Sequence, residues 1–203
     1  MSKSSGWANR STGHCSIASA TAAPELGARH VLVAGDDSDL ARQAASLARF
    51  ADMAAARGLT ADLEFMPWTA ARDLATAVHV MNMADRQNVG ILIDALHSDR
   101  AGTSLVDVAA LEPSRINYVQ FCDGQVPFDP DPAELIRIAR GERLFPGMGG
   151  IDLVGLARTI PADATISVEV PHQGWARRID AQGRAAMARE ATLAILRKAA
   201  GDQ

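Results

Sequence analysis

Several apolar stretches of this 203-residue chain are interrupted by side chains able to hold a cation or move a proton. Glu64 breaks the run Leu63-Glu-Phe-Met, and Asp94 directly follows Ile91-Leu-Ile, with His97 three residues on. Gln120 lies inside Tyr118-Val-Gln-Phe with Asp123 three residues later, and Glu169 sits between Val168 and Val170, followed by His172. An isolated buried carboxylate costs several kcal/mol, so each of these acids needs a partner, and several converging on one point call for a cation. Taken singly, each has a plainer explanation. Glu64 or Glu169 could pair with an arginine, Asp94 could cap a turn, His97 could be a satisfied core histidine, and Gln120 could tie down a loop. The joint pattern carries more weight than any member. Cys122 has no activating base beside it in the sequence and reads as a small buried residue.

The elements that must position these residues alternate between strand and helix. Residues 30–34, 59–65, 89–93, 116–121 and 164–170 are short apolar runs that read as five strands. Between and after them, apolar positions recur at helical spacing over residues 40–51, 70–86, 105–111, 132–140, 151–160 and 181–198. The near-continuous apolar character of residues 89–93 predicts burial on both faces, as in a parallel sheet. Such alternation specifies right-handed βαβ units and an α/β fold. Polar residues then fall at the C-terminal strand ends, where parallel α/β folds bind their ligands.

Composition narrows the function class. Hydrophobic residues make up 48% of the chain, enough for a sizeable core, and the net charge of −4 argues against a nucleic-acid or polybasic membrane binder. No window approaches the roughly 18 apolar residues of a membrane span. Two cysteines, Cys15 and Cys122, point to a reducing, cytoplasmic setting. Residues 1–28, rich in Ser, Thr, Gly and Ala, read as an irregular or disordered extension ahead of a domain spanning residues 29–203.

In their order, the segments 63–65, 94–102, 118–123, 143–152 and 167–171 resemble the xylose isomerase-like TIM-barrel superfamily of sugar phosphate isomerases, epimerases and dehydratases. That resemblance implies one divalent ion (Mn2+, Mg2+ or Co2+) held by Glu64, Asp94, Gln120 and Glu169, with glutamine standing where many members have histidine. It also implies that Glu64 and Glu169 act as an acid–base pair in enediolate chemistry on a small sugar or sugar phosphate. His97, in its D-x-x-H motif, matches a substrate-contacting residue, and Arg100 and Arg143 are candidates for holding a substrate terminus. Arg143 precedes a Pro146-Gly-Met-Gly turn that carries Met148 where family members often have glutamate. The activity implied is isomerisation or epimerisation, with dehydration of the inosose or dehydroshikimate type as the alternative, and a non-catalytic partial barrel as a third reading.

A complete (β/α)8 barrel has eight strand–helix units in about 250 residues. Five units are legible here, matching strands four to eight of an incomplete TIM barrel. An open five-stranded parallel sheet is the alternative architecture. The first turn, Gly35-Asp-Asp, is acidic and gives no support for phosphate or dinucleotide binding. Open edges at the first and last strands would need cover from the N-terminal extension, a second copy or another chain.

Overall fold

The computed structural model describes residues 27–201. The extension expected over residues 1–28 therefore lies almost wholly outside the described residues, as does Cys15. Five strands, β1 (His30–Ala34), β2 (Thr60–Glu64), β3 (Val89–Asp94), β4 (Tyr118–Phe121) and β5 (Thr165–Val168), form one parallel sheet in the order 1-2-3-4-5. Sequential order with helices on one side is the curvature of a barrel, and the result is an incomplete α/β barrel of five units.

Helix starts are fixed by side-chain caps. Asp39, Asp73, Asp94, Asp131, Asp152 and Asp180 each accept a backbone N–H from the first turn of the helix they precede. These helices are α1 (Leu40–Ala55), α2 (Leu74–Ala84), α3 (Ala95–Arg100), α5 (Pro132–Gly141), α6 (Leu153–Thr159) and α8 (Ala181–Ala200). Ser104 and Asp107 form a reciprocal capping box on α4 (Leu105–Ala109), and His172 caps α7 (Gln173–Ala176). Each such cap is worth about 1 kcal/mol. Capping explains why α2 starts four residues later than its apolar spacing suggests. The Asp73 carboxylate takes the Thr76 N–H, while Met66 and Ala71 pair across a tight turn before it. At the other end Asp85 adopts a left-handed conformation (φ 48°), which stops the helix at Ala84.

The convex face of the sheet carries the core. Ala61, Leu63, Val89, Ile91, Ile93, Val119 and Phe121 are at most 1% exposed and pack against the apolar faces of α1, α2 and α6. All six residues of β3 are buried, as its apolar run predicts. The outer strands are open, and on β1 Leu32 is 40% exposed. Within the concave layer, parallel register sets Ala34, Glu64 and Leu92 in one row and Asp94, Gln120 and Ser167 in another. Gly90 has a specific reason to lack a side chain: a Cβ there would collide with the buried Asp62 carboxylate and the Asn117 amide. No described helix is long and apolar enough to cross a membrane.

Candidate metal centre

The carboxylates at the strand ends meet. Glu64, the last residue of β2, and Asp94, the last of β3, are 5% and 1% exposed. Gln120 of β4 joins them: one end of its side-chain amide lies 3.1 Å from Glu64 Oε1 and 3.2 Å from Asp94 Oδ2. Turned one way, that amide donates N–H bonds to both carboxylates. Turned the other way, its oxygen faces two carboxylate oxygens, an arrangement that repels unless a cation sits among them. Neighbouring oxygen ligands around a small divalent ion bound at about 2.1 Å are themselves about 3 Å apart. The oxygen spacing of the three residues therefore fits such an ion.

Glu169 follows β5 directly, placed by its own N–H donating to Phe121 O (3.1 Å). Strand pairing stops at Val168, so this residue is not inside a strand as its apolar neighbours suggest. Its side chain is 42% exposed, the most open of the four, and it joins the cluster through Arg143. Arg143 Nη1 donates to Asp94 Oδ2 (2.5 Å) and pairs with Glu169 Oε2 (3.0 Å). Its Nε donates to Ala139 O (2.8 Å), and its Nη2 to His97 Nε2 (3.3 Å). Both ends of that guanidinium are thus engaged within the protein, at 3% exposure.

Asp94 serves two purposes. Oδ1 accepts the His97 N–H and starts α3, while Oδ2 faces Gln120 and Arg143. Asp94 therefore caps α3 with one oxygen and turns the other toward Gln120 and Arg143. His97 is 2% exposed, with Nε2 3.7 Å from Glu64 Oε1 and Trp68 packed edge-on at 5.0 Å. Glu64, Asp94 and His97 each offer a ligand atom within 4.8 Å of the others. Since an arginine can only donate, Nε2 accepts, and the proton of the neutral ring sits on Nδ1, which is buried without a partner among the described residues. Arg100 is not drawn into this cluster. It pairs with Asp99, donates to Gln125 O (2.9 Å) and lies 4.2 Å over the Phe128 ring, bracing the loop after β4.

Crowded acids shift each other's protonation. Burial, then the charges of Asp94 and Glu169, raises Glu64 to about 8 against an opposing pull from Arg143. Burial likewise raises Glu169, with Arg143 opposing. Burial lowers His97 to about 4, keeping the imidazole neutral. Arg143 resists the same burial because Asp94, Cys122 and Glu169 hold its charge. Cys122 is fully buried and pushed up to about 12, which leaves it inert as a nucleophile. A divalent cation beside Glu64 would favour its ionised form over the protonated one.

Fold and site together define an α/β barrel half with an acidic centre at the C-terminal strand ends. A family model described as xylose isomerase-like TIM barrel matches residues 9–198, and the chain belongs to that family. A 3-dehydroshikimate dehydratase of Pseudomonas aeruginosa is 29% identical over 162 residues, which is 74% of this chain. The chain spans only a quarter of that relative's length. The solved structure of an IolI protein with a zinc atom superposes with a TM-score of 0.79 at 20% identity, over 94% of this chain and 73% of the other. An L-ribulose 3-epimerase superposes with a TM-score of 0.67 at 18% identity, over 92% and 67%. At these identities the two structures speak for the fold alone.

Proposed function

We propose that this protein binds one divalent ion through Glu64, Asp94, Gln120 and Glu169, and removes a proton next to a carbonyl in a small polyhydroxylated substrate. The single observation behind this reading is the Gln120 amide set between two carboxylates at 3.1 and 3.2 Å. A divalent ion there would stabilise the negative charge that gathers on the carbonyl oxygen as the C–H bond breaks. Three carboxylates and an amide oxygen suit Mn2+, Mg2+ or Co2+.

Glu169 takes the proton in this reading, which its being the most exposed of the four and paired with Arg143 supports. Glu64, the last residue of β2, is its counterpart in the acid–base pair. Such acid–base assistance is typically worth about 10²–10⁴ in rate. His97 contributes an uncharged ring for a substrate oxygen. Arg143 acts on the carboxylates, and Arg100 on a loop, so a terminal phosphate would rely on other groups.

Two outcomes of that proton removal are supported by relatives. Return of the proton to a neighbouring carbon is isomerisation, and its return to the same carbon from the opposite face is epimerisation, the activity named for the L-ribulose 3-epimerase. Loss of a neighbouring hydroxyl is dehydration, and the Pseudomonas aeruginosa dehydratase, at 29% identity, favours it. Incubation of the Mn2+-supplied protein with ketoses in D2O tests the first through deuterium beside the carbonyl. Incubation with 3-dehydroshikimate tests the second through ultraviolet absorbance of the aromatic acid formed on water loss. Absence of both deuterium uptake and absorbance change would contradict the proposal. Cytoplasmic residence and cover of the open β1 and β5 edges by a second copy or another chain belong to the same reading, and solution mass tests the latter.

A further inference from the structure

Asp123, two residues beyond β4, is 1% exposed and, among the described residues, shares no side-chain hydrogen bond or ion pair with Glu64, Asp94, Gln120 or Glu169, yet its carboxylate accepts four backbone N–H groups. Its Oδ1 accepts the N–H groups of Gly124 (2.8 Å) and Ile151 (3.1 Å). Its Oδ2 accepts those of Gly147 (2.9 Å) and Gly149 (2.9 Å). A buried charge is tolerated when its lone pairs are filled, and here four backbone donors fill them. Three of the four come from the loop over residues 146–151. The same residue ties the start of that loop through its backbone, with Asp123 N donating to Leu144 O and Leu144 N to Asp123 O, each at 2.9 Å.

Between these two attachments and α5 stands Arg143. Its backbone N–H donates to Pro171 O (3.2 Å), and its guanidinium reaches Asp94, Glu169 and Cys122. Close packing leaves the loop little freedom. At Gly149 a Cβ would run into Gly124 O and the Asp123 carboxylate, so the chain passes against the acid with no room to spare. We infer that Asp123 is a positioning residue: by gathering the N–H groups of the 146–151 loop and pairing with Leu144, it holds Arg143 against Asp94 and Glu169. The inference rests on the metal-centre reading, because fixing Arg143 sets how strongly those two carboxylates are pre-engaged when a divalent ion arrives.

The isosteric Asp123→Asn keeps the side-chain shape but sets an amide N–H against two loop donors. Mn2+ affinity is measured by calorimetry on the full chain for the native protein, Asp123→Asn, Arg143→Met and the double variant. Action through Arg143 predicts that Asp123→Asn changes the dissociation constant about fivefold or more in the native background and less than about twofold in Arg143→Met. Equal effects in both backgrounds overturn the inference. A second readout needs no metal: hydrogen exchange of the Arg143 Nε–H, followed by NMR, should quicken about tenfold or more in Asp123→Asn. Unchanged Nε–H exchange while the Gly147 and Gly149 amides lose protection overturns it too. If the native protein binds no Mn2+, the metal reading fails, and the exchange experiment still decides the role of Asp123. Should Asp123→Asn not fold, Gly149→Ala, which crowds the carboxylate with its charge kept, is read by the same exchange signal.

Discussion

Lowering the pH should weaken metal binding, above all through Glu64. The carboxyl is 5% exposed beside Asp94 and Gln120, and it holds a proton up to about 8 rather than the ordinary 4.5. That difference corresponds to roughly 5 kcal/mol between protonated and ionised forms in the metal-free fold. Because the folded-state value is raised, the metal-free protein gains this stability in full below about 4.5 and loses it as the pH climbs through about 8. A ligand to a cation must be ionised, so below about 8 each ion bound displaces one proton. Apparent Mn2+ affinity should then fall about tenfold for each pH unit below that value, and level off above it. Calorimetry in buffers of different ionisation enthalpy counts the protons directly: close to one released near neutrality, approaching none in alkaline solution. In Glu64→Gln the pH dependence between about 6 and 8 should vanish along with much of the affinity. A dissociation constant that is flat across that range in the native protein, with no proton release, would refute the reasoning.

Other outcomes follow from the same structure. Glu169→Gln should abolish solvent-proton exchange into substrate while leaving the melting temperature within a few degrees, because its side chain is 42% exposed and outside the core. Gly90→Ala should destabilise the fold by about 1–3 kcal/mol in chemical denaturation, since its methyl would press on the buried Asp62 carboxylate and Asn117 amide. Ile91→Ala, removing a fully buried side chain from the centre of β3, should cost about 2–5 kcal/mol in the same assay without altering Mn2+ stoichiometry.

Much of the architecture is legible in the residues because each strand is a separate apolar run with a breaker after it. Residues 89–93 announce a doubly buried strand, and all of β3 is buried. What escapes is local. The six-residue helix α3 is too short for a 3.6-residue repeat to show, and the four-residue α7 shorter still. Both start at capping side chains that could equally do chemistry, Asp94 and His172, so the sequence offers a cap and a chemical group in one letter. The acids Glu64, Asp94 and Glu169 stand out because charge is costly inside apolar runs. The roles of the arginines do not, since nothing in the order of residues shows that Arg143 turns inward to Asp94 while Arg100 braces Gln125 and Phe128. Asp123 is visible as an acid after β4, but the four amides it gathers come from residues 124–151 and are joined only by folding. Trp68, packed on His97, likewise gives no signal beyond being a tryptophan after the proline that follows β2.

The central claim is that the Glu64, Asp94, Gln120 and Glu169 cluster is a metal centre, and metal content tests it most directly. The purified, untagged protein, equilibrated with Mn2+ and freed of excess, should carry about one ion per chain, and the Asp94→Asn/Glu169→Gln double variant, still folded by circular dichroism, should carry none. Stoichiometric Mn2+ retained by that double variant would contradict the account.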